Sequence, residues 1–307
     1  MEAQNEKMVN NGDVVICTEH FGSSDNPVIL LIAGATVSML YWDADFCSQL
    51  AGKGCFVIRY DNRDVGKSTT YDVGTKPYDI VDLVNDAVCV LDGYGVAKAN
   101  IMGISLGGLI AQLIALQYPN RVQSLILMST GVWGMPDPDI PEMEGDIVDF
   151  QAKAGDVDWD NEEEVVGYLL ESSRLMAGSK PVDYQREEKR IREEFRRAVS
   201  YRSMFNHAGL QGGEAYYNRT REIKVRTLII HGTADKIWHF DHTKKLLAEI
   251  GDSRLLTLDG TGHELNVNDW ELITSAVDDF TYGDNPMERG LSGRNDRVIA
   301  NLYTNHM

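Results

Sequence analysis

Cysteine is scarce in this chain of 307 residues: there are four, Cys17, Cys47, Cys55 and Cys89. No Cys-x-x-Cys spacing occurs, so zinc binding and dithiol redox chemistry lack support, and no metal is expected. Each cysteine lies in an apolar segment, which makes a buried, reduced thiol the expected state. Positive charge is also short. The 29 Lys and Arg face 47 Asp and Glu, a formal net charge of −18. Nucleic acid and anionic membrane both repel such a surface, and neither is expected as a partner. Long apolar runs are missing too. The strongest, Val28 to Ala35 around Leu30-Leu31-Ile32, is far too short to span a bilayer. The opening Met1-Glu2-Ala3-Gln4-Asn5-Glu6-Lys7 is polar and has no signal-peptide core, so a cytoplasmic protein is expected. Internal repeats and low-complexity tracts are absent.

What is present is globular, with 43% hydrophobic and 25% charged residues. The length permits one α/β domain with an insertion, or two ordinary domains. Asp13–His20 alternates β-branched and polar residues, as an edge strand or hairpin arm does. Pro27–Ala33 is continuously apolar, the pattern of a strand buried on both faces. Further strands are expected at Cys55–Tyr60, Asn100–Ile104, Val122–Met128, Val225–His231 and Arg254–Leu258. Helices are expected at Tyr41–Gly52, Ile80–Leu91, Ser105–Gln117 and Asn268–Phe280, where apolar residues recur at helical spacing. Strands alternating with helices predict a mostly parallel central sheet flanked by helices.

Residues 131–223 break the alternation. Their first part is acidic and turn-rich, and the rest, notably Arg186–Tyr201, mixes both charge signs along an exposed helix. We read an inserted helical cap at 131–223, against the alternative of a long disordered loop. The core then comprises residues 1–130 and 224–283. A polar tail at 284–307 is expected to pack loosely.

The chemistry centres on Asn100-Ile101-Met102-Gly103-Ile104-Ser105-Leu106-Gly107-Gly108. A short apolar strand runs into a sharp turn and a helix begins at once. Gly-x-Ser-x-Gly in that setting is the nucleophile-elbow pattern. A serine hydroxyl attacks well only if it stands clear of the backbone. The turn that lifts it strains the serine by about 1–3 kcal/mol. Gly103 and Gly107 lack the side chains that would collide where strand and helix almost touch. A flexible Gly/Ser turn is the plainer alternative.

A serine nucleophile needs a base, and the base an orienting acid. With this elbow the chain order is serine, acid, histidine. His263 stands in Asp259-Gly260-Thr261-Gly262-His263, a Gly-rich loop directly after the last strand. His231 ends a strand and could be a buried, satisfied ring, His239 and His242 lie near a helix start, and His306 is in the tail. Asp235 follows the penultimate strand in His231-Gly232-Thr233-Ala234-Asp235 and is the expected acid. A helix N-cap is its competing role, which Asp241 fits better. Asp259 is too close along the chain to serve its loop neighbour. The oxyanion needs two backbone N–H groups. Leu106 supplies one, and the turn Gly34-Ala35-Thr36 supplies the other, with Ala35 the first choice.

With these residues in place the chain resembles the α/β-hydrolase superfamily across nearly its whole length. Within it, the sequence is similar to anthracycline methylesterases such as aclacinomycin methylesterase. The carrying stretches are Val57 to Thr70 (Val-Ile-Arg-Tyr-Asp-Asn-Arg-Asp-Val-Gly-Lys-Ser-Thr-Thr), Asp86 to Val96, and Gly103-Ile104-Ser105-Leu106-Gly107. The resemblance implies Ser105 as nucleophile, Asp235 as acid, His263 as base, Ala35 and Leu106 as oxyanion donors, and no metal or organic cofactor. The sequence departs from the pattern at Ala33-Gly34-Ala35, where many hydrolases carry His-Gly. The cap matches only at His207-Ala208-Gly209 and near Tyr216-Tyr217, so the likeness implies fold and triad rather than a particular ester.

Gly66-Lys67-Ser68 looks like the end of a P-loop, but Asp61 stands where that motif requires glycine. Asp61 and Arg63 are expected instead to hold the sheet's edge together. A serine at the elbow argues against haloalkane dehalogenases and epoxide hydrolases, which use aspartate. Hydrolysis of a small, apolar carboxylic ester is the favoured reading. The same triad could serve a cofactor-free haloperoxidase, a perhydrolase or a C–C hydrolase, and a non-catalytic ligand receptor on this fold is the alternative of another class. Trp133, Met135, Met176, Met204, Phe205 and Tyr216 suggest an apolar substrate pocket, with the cap's own core as their other use.

Overall fold

The computed structural model describes residues 6–282. The tail and His306 lie outside the described residues. One eight-stranded sheet organises the chain, in the order β1-β2-β4-β3-β5-β6-β7-β8. Its strands are β1 (Glu6–Asn11), β2 (Val14–Phe21), β3 (Val28–Ile32), β4 (Phe56–Tyr60), β5 (Ala99–Ile104), β6 (Val122–Met128), β7 (Thr227–Gly232) and β8 (Ser253–Leu258). The pairs β1–β2 and β2–β4 are antiparallel, and every pairing from β4 onward is parallel. Strand β1 overlaps the polar opening at Glu6 and Lys7 and is an additional strand beyond those expected. Gly12-Asp13 turns it into β2, with Gly12 at φ 59°, a left-handed conformation that glycine adopts without a Cβ clash.

The side-chain alternation of β3 builds both halves of the core. Leu30 and Ile32 face helices α2 (Ile80–Gly93) and α3 (Leu106–Gln117), whereas Ile29 and Leu31 face α1 (Ala44–Gly52) and α8 (Trp270–Tyr282). All four side chains are fully buried. Each such burial stabilises by about 1.5–3 kcal/mol, which anchors the strand on which the next loop hangs. Cys17, Cys47 and Cys55 are buried free thiols, and Cys89 is half-buried. Desolvation pushes the Cys17 and Cys47 thiols up to about 12, so they stay protonated.

Between β6 and β7 the chain forms helices only: α4 (Gly145–Gln151), α5 (Glu162–Met176) and α6 (Tyr184–Arg197), followed by 3₁₀ turns. Helix α5 starts where Asn161 accepts the N–H groups of Glu163 and Glu164, an N-cap that satisfies two orphan donors. Its buried Val165 and Val166 pack with Trp159, Ile191 and Met204, and Val65 from the loop after β4 joins them. The last helix before β8, α7 (His242–Glu249), follows Asp241, whose side chain makes no N-cap bond. Asp241 pairs with Lys244 at 2.5 Å instead, contrary to the capping role expected of it.

The loop 61–68 wraps around its own acid. Asp61, fully buried, accepts Met39 N–H at 2.8 Å, Lys67 N–H at 2.9 Å and Arg197 Nη1 at 2.6 Å. A Cβ on Gly66 would lie 2.2 Å from Asp61 Oδ2. The space a P-loop reserves for phosphate is filled by a carboxylate. Arg63 forks onto Asp86 at 2.6 and 2.9 Å, tying this loop to α2.

Candidate active site

Ser105 sits between the end of β5 and the start of α3 at φ 54°, ψ −121°, a sparsely populated conformation for a residue with a Cβ. The packing around it explains both glycines. A Cβ on Gly103 would come 2.1 Å from Gly107 O, and one on Gly107 would come 2.2 Å from Ile32 O. Strand, helix and β3 therefore meet backbone to backbone. Ser105 N–H donates to Met128 O at 3.0 Å and Thr130 Oγ1 donates to Ser105 O at 2.9 Å, so neighbouring β6 and its following loop pin the turn. Leu106 opens α3, and the first N–H groups of a helix have no partner within it.

Gly34, after β3, lies against the serine: a Cβ there would be 3.4 Å from Ser105 Cβ and 4.0 Å from its Oγ. Ala35 and Thr36 follow, both exposed. Thr36 has φ 65°, unusual for a β-branched residue.

Asp235 and His263 are brought together from the loops after β7 and β8. His263 Nδ1 is 2.9 Å from Asp235 Oδ2. The other oxygen, Oδ1, accepts the N–H groups of Ile237 and Trp238, each at 2.9 Å, and His231 Nε2 lies 3.4 Å from Oδ2. Burial alone would push this carboxyl up, but His263 and the hydrogen bonds from His231 and His263 hold it well below the usual carboxylate range. A carboxylate this well held can only accept, so His263 Nδ1 carries the proton in this pair. Among the described residues no hydrogen bond joins Ser105 Oγ to His263. Such bonds commonly tighten only with substrate in place. Asp259 takes no part: its Oδ1 accepts Thr233 Oγ1 at 3.3 Å.

His231 is fully buried, and its Nε2 donates to Trp238 O at 2.7 Å. His242 stacks edge-on to Trp238, and desolvation lowers it to about 4. Two wide clefts, about 1050 and 510 Å³, are lined mainly by charged and polar side chains, with Leu40, Ala44 and Val88 among them, and by none of Ser105, Asp235 and His263. Chemistry rather than size marks the site. Of the apolar residues suggested as pocket lining, Met204 and Phe205 belong to the insertion's own cluster, Trp133 and Tyr216 pack on the core, and Met135 is 64% exposed. Met176 touches the site through its carbonyl, which accepts His263 N–H at 2.9 Å. The backbone Gly178–Ser179 lies against Gly260 and Gly262, with Ser179 N–H donating to Gly260 O at 2.7 Å. That clamp on the histidine loop carries no sequence motif and was not anticipated.

Residues 27–269 match the family described as the alpha/beta hydrolase fold. Rhodomycin D methylesterase DauP of Streptomyces sp. (strain C5) is 29% identical over 295 residues, 88% of this chain and 96% of that protein. Rhodomycin D methylesterase DnrP of Streptomyces peucetius is 41% identical over 125 residues, 41% of this chain and 42% of that protein. Among solved structures, 2-hydroxy-6-oxo-6-phenylhexa-2,4-dienoate hydrolase from Rhodococcus sp. strain RHA1 superposes with a TM-score of 0.72 at 20% identity, covering 91% of this chain and 98% of the other. Among the described residues no group of His, Cys, Asp and Glu is arranged to hold a metal, and no helix is long and apolar enough to cross a membrane.

Proposed function

Because the chain belongs to the alpha/beta hydrolase fold family, we propose that it is a serine hydrolase that cleaves a small-molecule carboxylic ester. Ser105 is the nucleophile, His263 the base and Asp235 its orienting acid. The observation that carries this reading is the Asp235–His263 bond of 2.9 Å on the loops after β7 and β8, combined with a strained serine after β5 of the same sheet. Ligands and catalytic groups of parallel sheets gather at this carboxyl edge.

In the reaction, His263 Nε2 takes the Ser105 proton as Oγ attacks the ester carbonyl. The oxyanion rests on the N–H groups of Leu106 and Ala35. Preorganised donors of this kind are worth about 10²–10³ in rate apiece. His263 then protonates the departing alkoxide, and water hydrolyses the acyl-enzyme by the reverse path. The depressed Asp235 carboxyl keeps its charge beside the imidazolium that forms. No step calls on a metal or an organic cofactor.

The long match to a methylesterase supports a methyl or other small ester of an apolar acid. The helical insertion, residues 131–223, acts as the cap that covers the site. Hydrolysis of p-nitrophenyl acetate, butyrate and octanoate by the wild type and Ser105→Ala tests the proposal. We expect turnover in the wild type and a loss on the order of 10⁶-fold in kcat for a still-folded variant. An active Ser105→Ala protein would refute it. Should the wild type refuse these esters, a fluorophosphonate probe decides: an unlabelled Ser105 sinks the assignment.

A further inference from the structure

The loop that carries Ala35 is held in place by the insertion. Thr36 N–H donates to His207 Nδ1 at 2.9 Å. Two residues on, Ser38 gives Glu194 Oε1 its N–H at 3.2 Å and its hydroxyl at 2.8 Å. Met39 N–H then donates to Asp61 Oδ1, and the other oxygen of Asp61 is engaged by Arg197. His207, Glu194 and Arg197 all belong to the insertion, more than 130 residues away in sequence, since even the Asp61–Arg197 separation is 136.

His207 is built for one tautomer. Its Nε2 lies 2.7 Å from Arg63 O. A carbonyl only accepts, so Nε2 carries the proton and Nδ1 offers the lone pair that Thr36 needs. The ring is buried, and desolvation lowers its pKa below the ordinary histidine value. The turn that carries it is pinned independently: Asn206 accepts Gly74 N–H at 2.8 Å and donates to Tyr71 O at 3.2 Å, and Ser203 Oγ donates to Asp64 O at 2.7 Å. Thr36 at φ 65° is a β-branched residue in a left-handed conformation. Without a partner for its N–H it would relax toward negative φ, turning the Ala35–Thr36 peptide and, across the Cα of Ala35, shifting the Gly34–Ala35 peptide that carries the Ala35 N–H.

We propose that His207 is a positioning residue for acyl transfer: a neutral imidazole, reaching in from the insertion, that clamps Thr36 and so aims the Ala35 N–H at the oxyanion. The inference rests on the assignment of Ser105 and Ala35 above. It makes the insertion part of the catalytic geometry, beyond covering the substrate.

Two substitutions separate the two ring nitrogens. His207→Gln keeps a donor for Arg63 O and withdraws the acceptor from Thr36. His207→Asn keeps an acceptor near Thr36 and gives up the bond to Arg63. With the p-nitrophenyl ester that the wild type turns over best, His207→Gln should lower kcat between about 10- and 100-fold, the scale of a misplaced catalytic group. KM should stay within about twofold, because the lost interaction is made only in the transition state. His207→Asn should recover most of kcat. Affinity for an aryl trifluoromethyl ketone, whose hemiketal needs both oxyanion donors, should fall in parallel with kcat. Turnover is counted per molecule titrated with fluorophosphonate. Full kcat in His207→Gln, or equal losses in both variants, would overturn the proposal. If His207→Gln does not fold, Asn206→Ala, which loosens the same turn, should lower kcat several-fold at unchanged KM, and an unchanged kcat overturns the clamp. A wild type that neither turns over esters nor labels at Ser105 refutes the serine-hydrolase reading instead, so the two failures are distinguishable.

Discussion

The sheet and the insertion between β6 and β7 differ in how much apolar surface they bury and how much charge they display. In the sheet, the inner strands from β3 to β7 bury Val, Ile and Leu side chains on two faces, and apolar burial supplies the driving force. The insertion buries little by comparison. Helix α6 buries only Ile191 and Glu194 among its fourteen residues. Its outer surface is laced with charge: Arg192 meets Glu162, Glu163 and Glu188, Arg196 meets Glu162, and Arg190 meets Glu187 and Glu194. Exposed pairs of this kind contribute little each and weaken in salt. The inward ones do different work. Glu194 and Arg197 turn from that network toward the core and hold the loop beside Ser105. A charged helix can thus be weak as a structural element and still set the geometry of a site, because positioning needs only a few well-made bonds.

The widest separation of the two regions is expected from a core truncation. Leu31→Ala should cost about 2–5 kcal/mol, read as a lower urea midpoint for the whole chain, insertion included; a fall confined to the insertion would contradict the picture. Acid should come next. His242 is lowered to about 4 and His207 is lowered too, both by burial. The unfolded chain takes up protons at about 6.5 that the folded chain refuses. This stability is therefore present above about pH 6.5 and lost as pH falls toward about 4. The carboxylates Glu162 and Glu163 are lowered from 4.5 by Arg196 and Arg192, so the insertion's surface pairs fade only below that value. Urea midpoints between pH 7 and pH 4 should fall, and His242→Gln should flatten part of the slope; an unchanged slope would remove His242 from the account. The smallest effect belongs to the surface network. Arg192→Gln should leave the midpoint unchanged while amide exchange across 162–197 quickens, as it should in molar salt. Equal quickening in β3 would erase the distinction.

Legibility followed the range of the physics. Gly103, Ser105 and Gly107 could be read because the turn is local and its steric demand falls on adjacent residues. The contact of Asp235 with His263, only 28 residues apart, could be read because each follows a neighbouring parallel strand, and topology leaves such loops together. Strand β1 is hard to read locally because its polar residues suit an edge, and its mark is the two-residue turn Gly12-Asp13. Asp241 stands where a cap is expected yet pairs with Lys244, because a helix boundary allows more than one polar arrangement.

By itself, then, the amino-acid sequence determined the parallel sheet, its serine turn and the placing of Asp235 and His263 on successive strand ends. Periodicity and steric exclusion are written in near neighbours. The tertiary structure alone decided that Thr36 finds His207 across 171 residues and Ser38 finds Glu194 across 156. A backbone N–H in a loop, above all a buried one like that of Ser38, seeks an acceptor, but any of many polar side chains can supply it. Which one does depends on how the insertion folds back over the sheet, a choice made by the packing of Val65 with Trp159, Val165 and Met204 and carried by no local pattern.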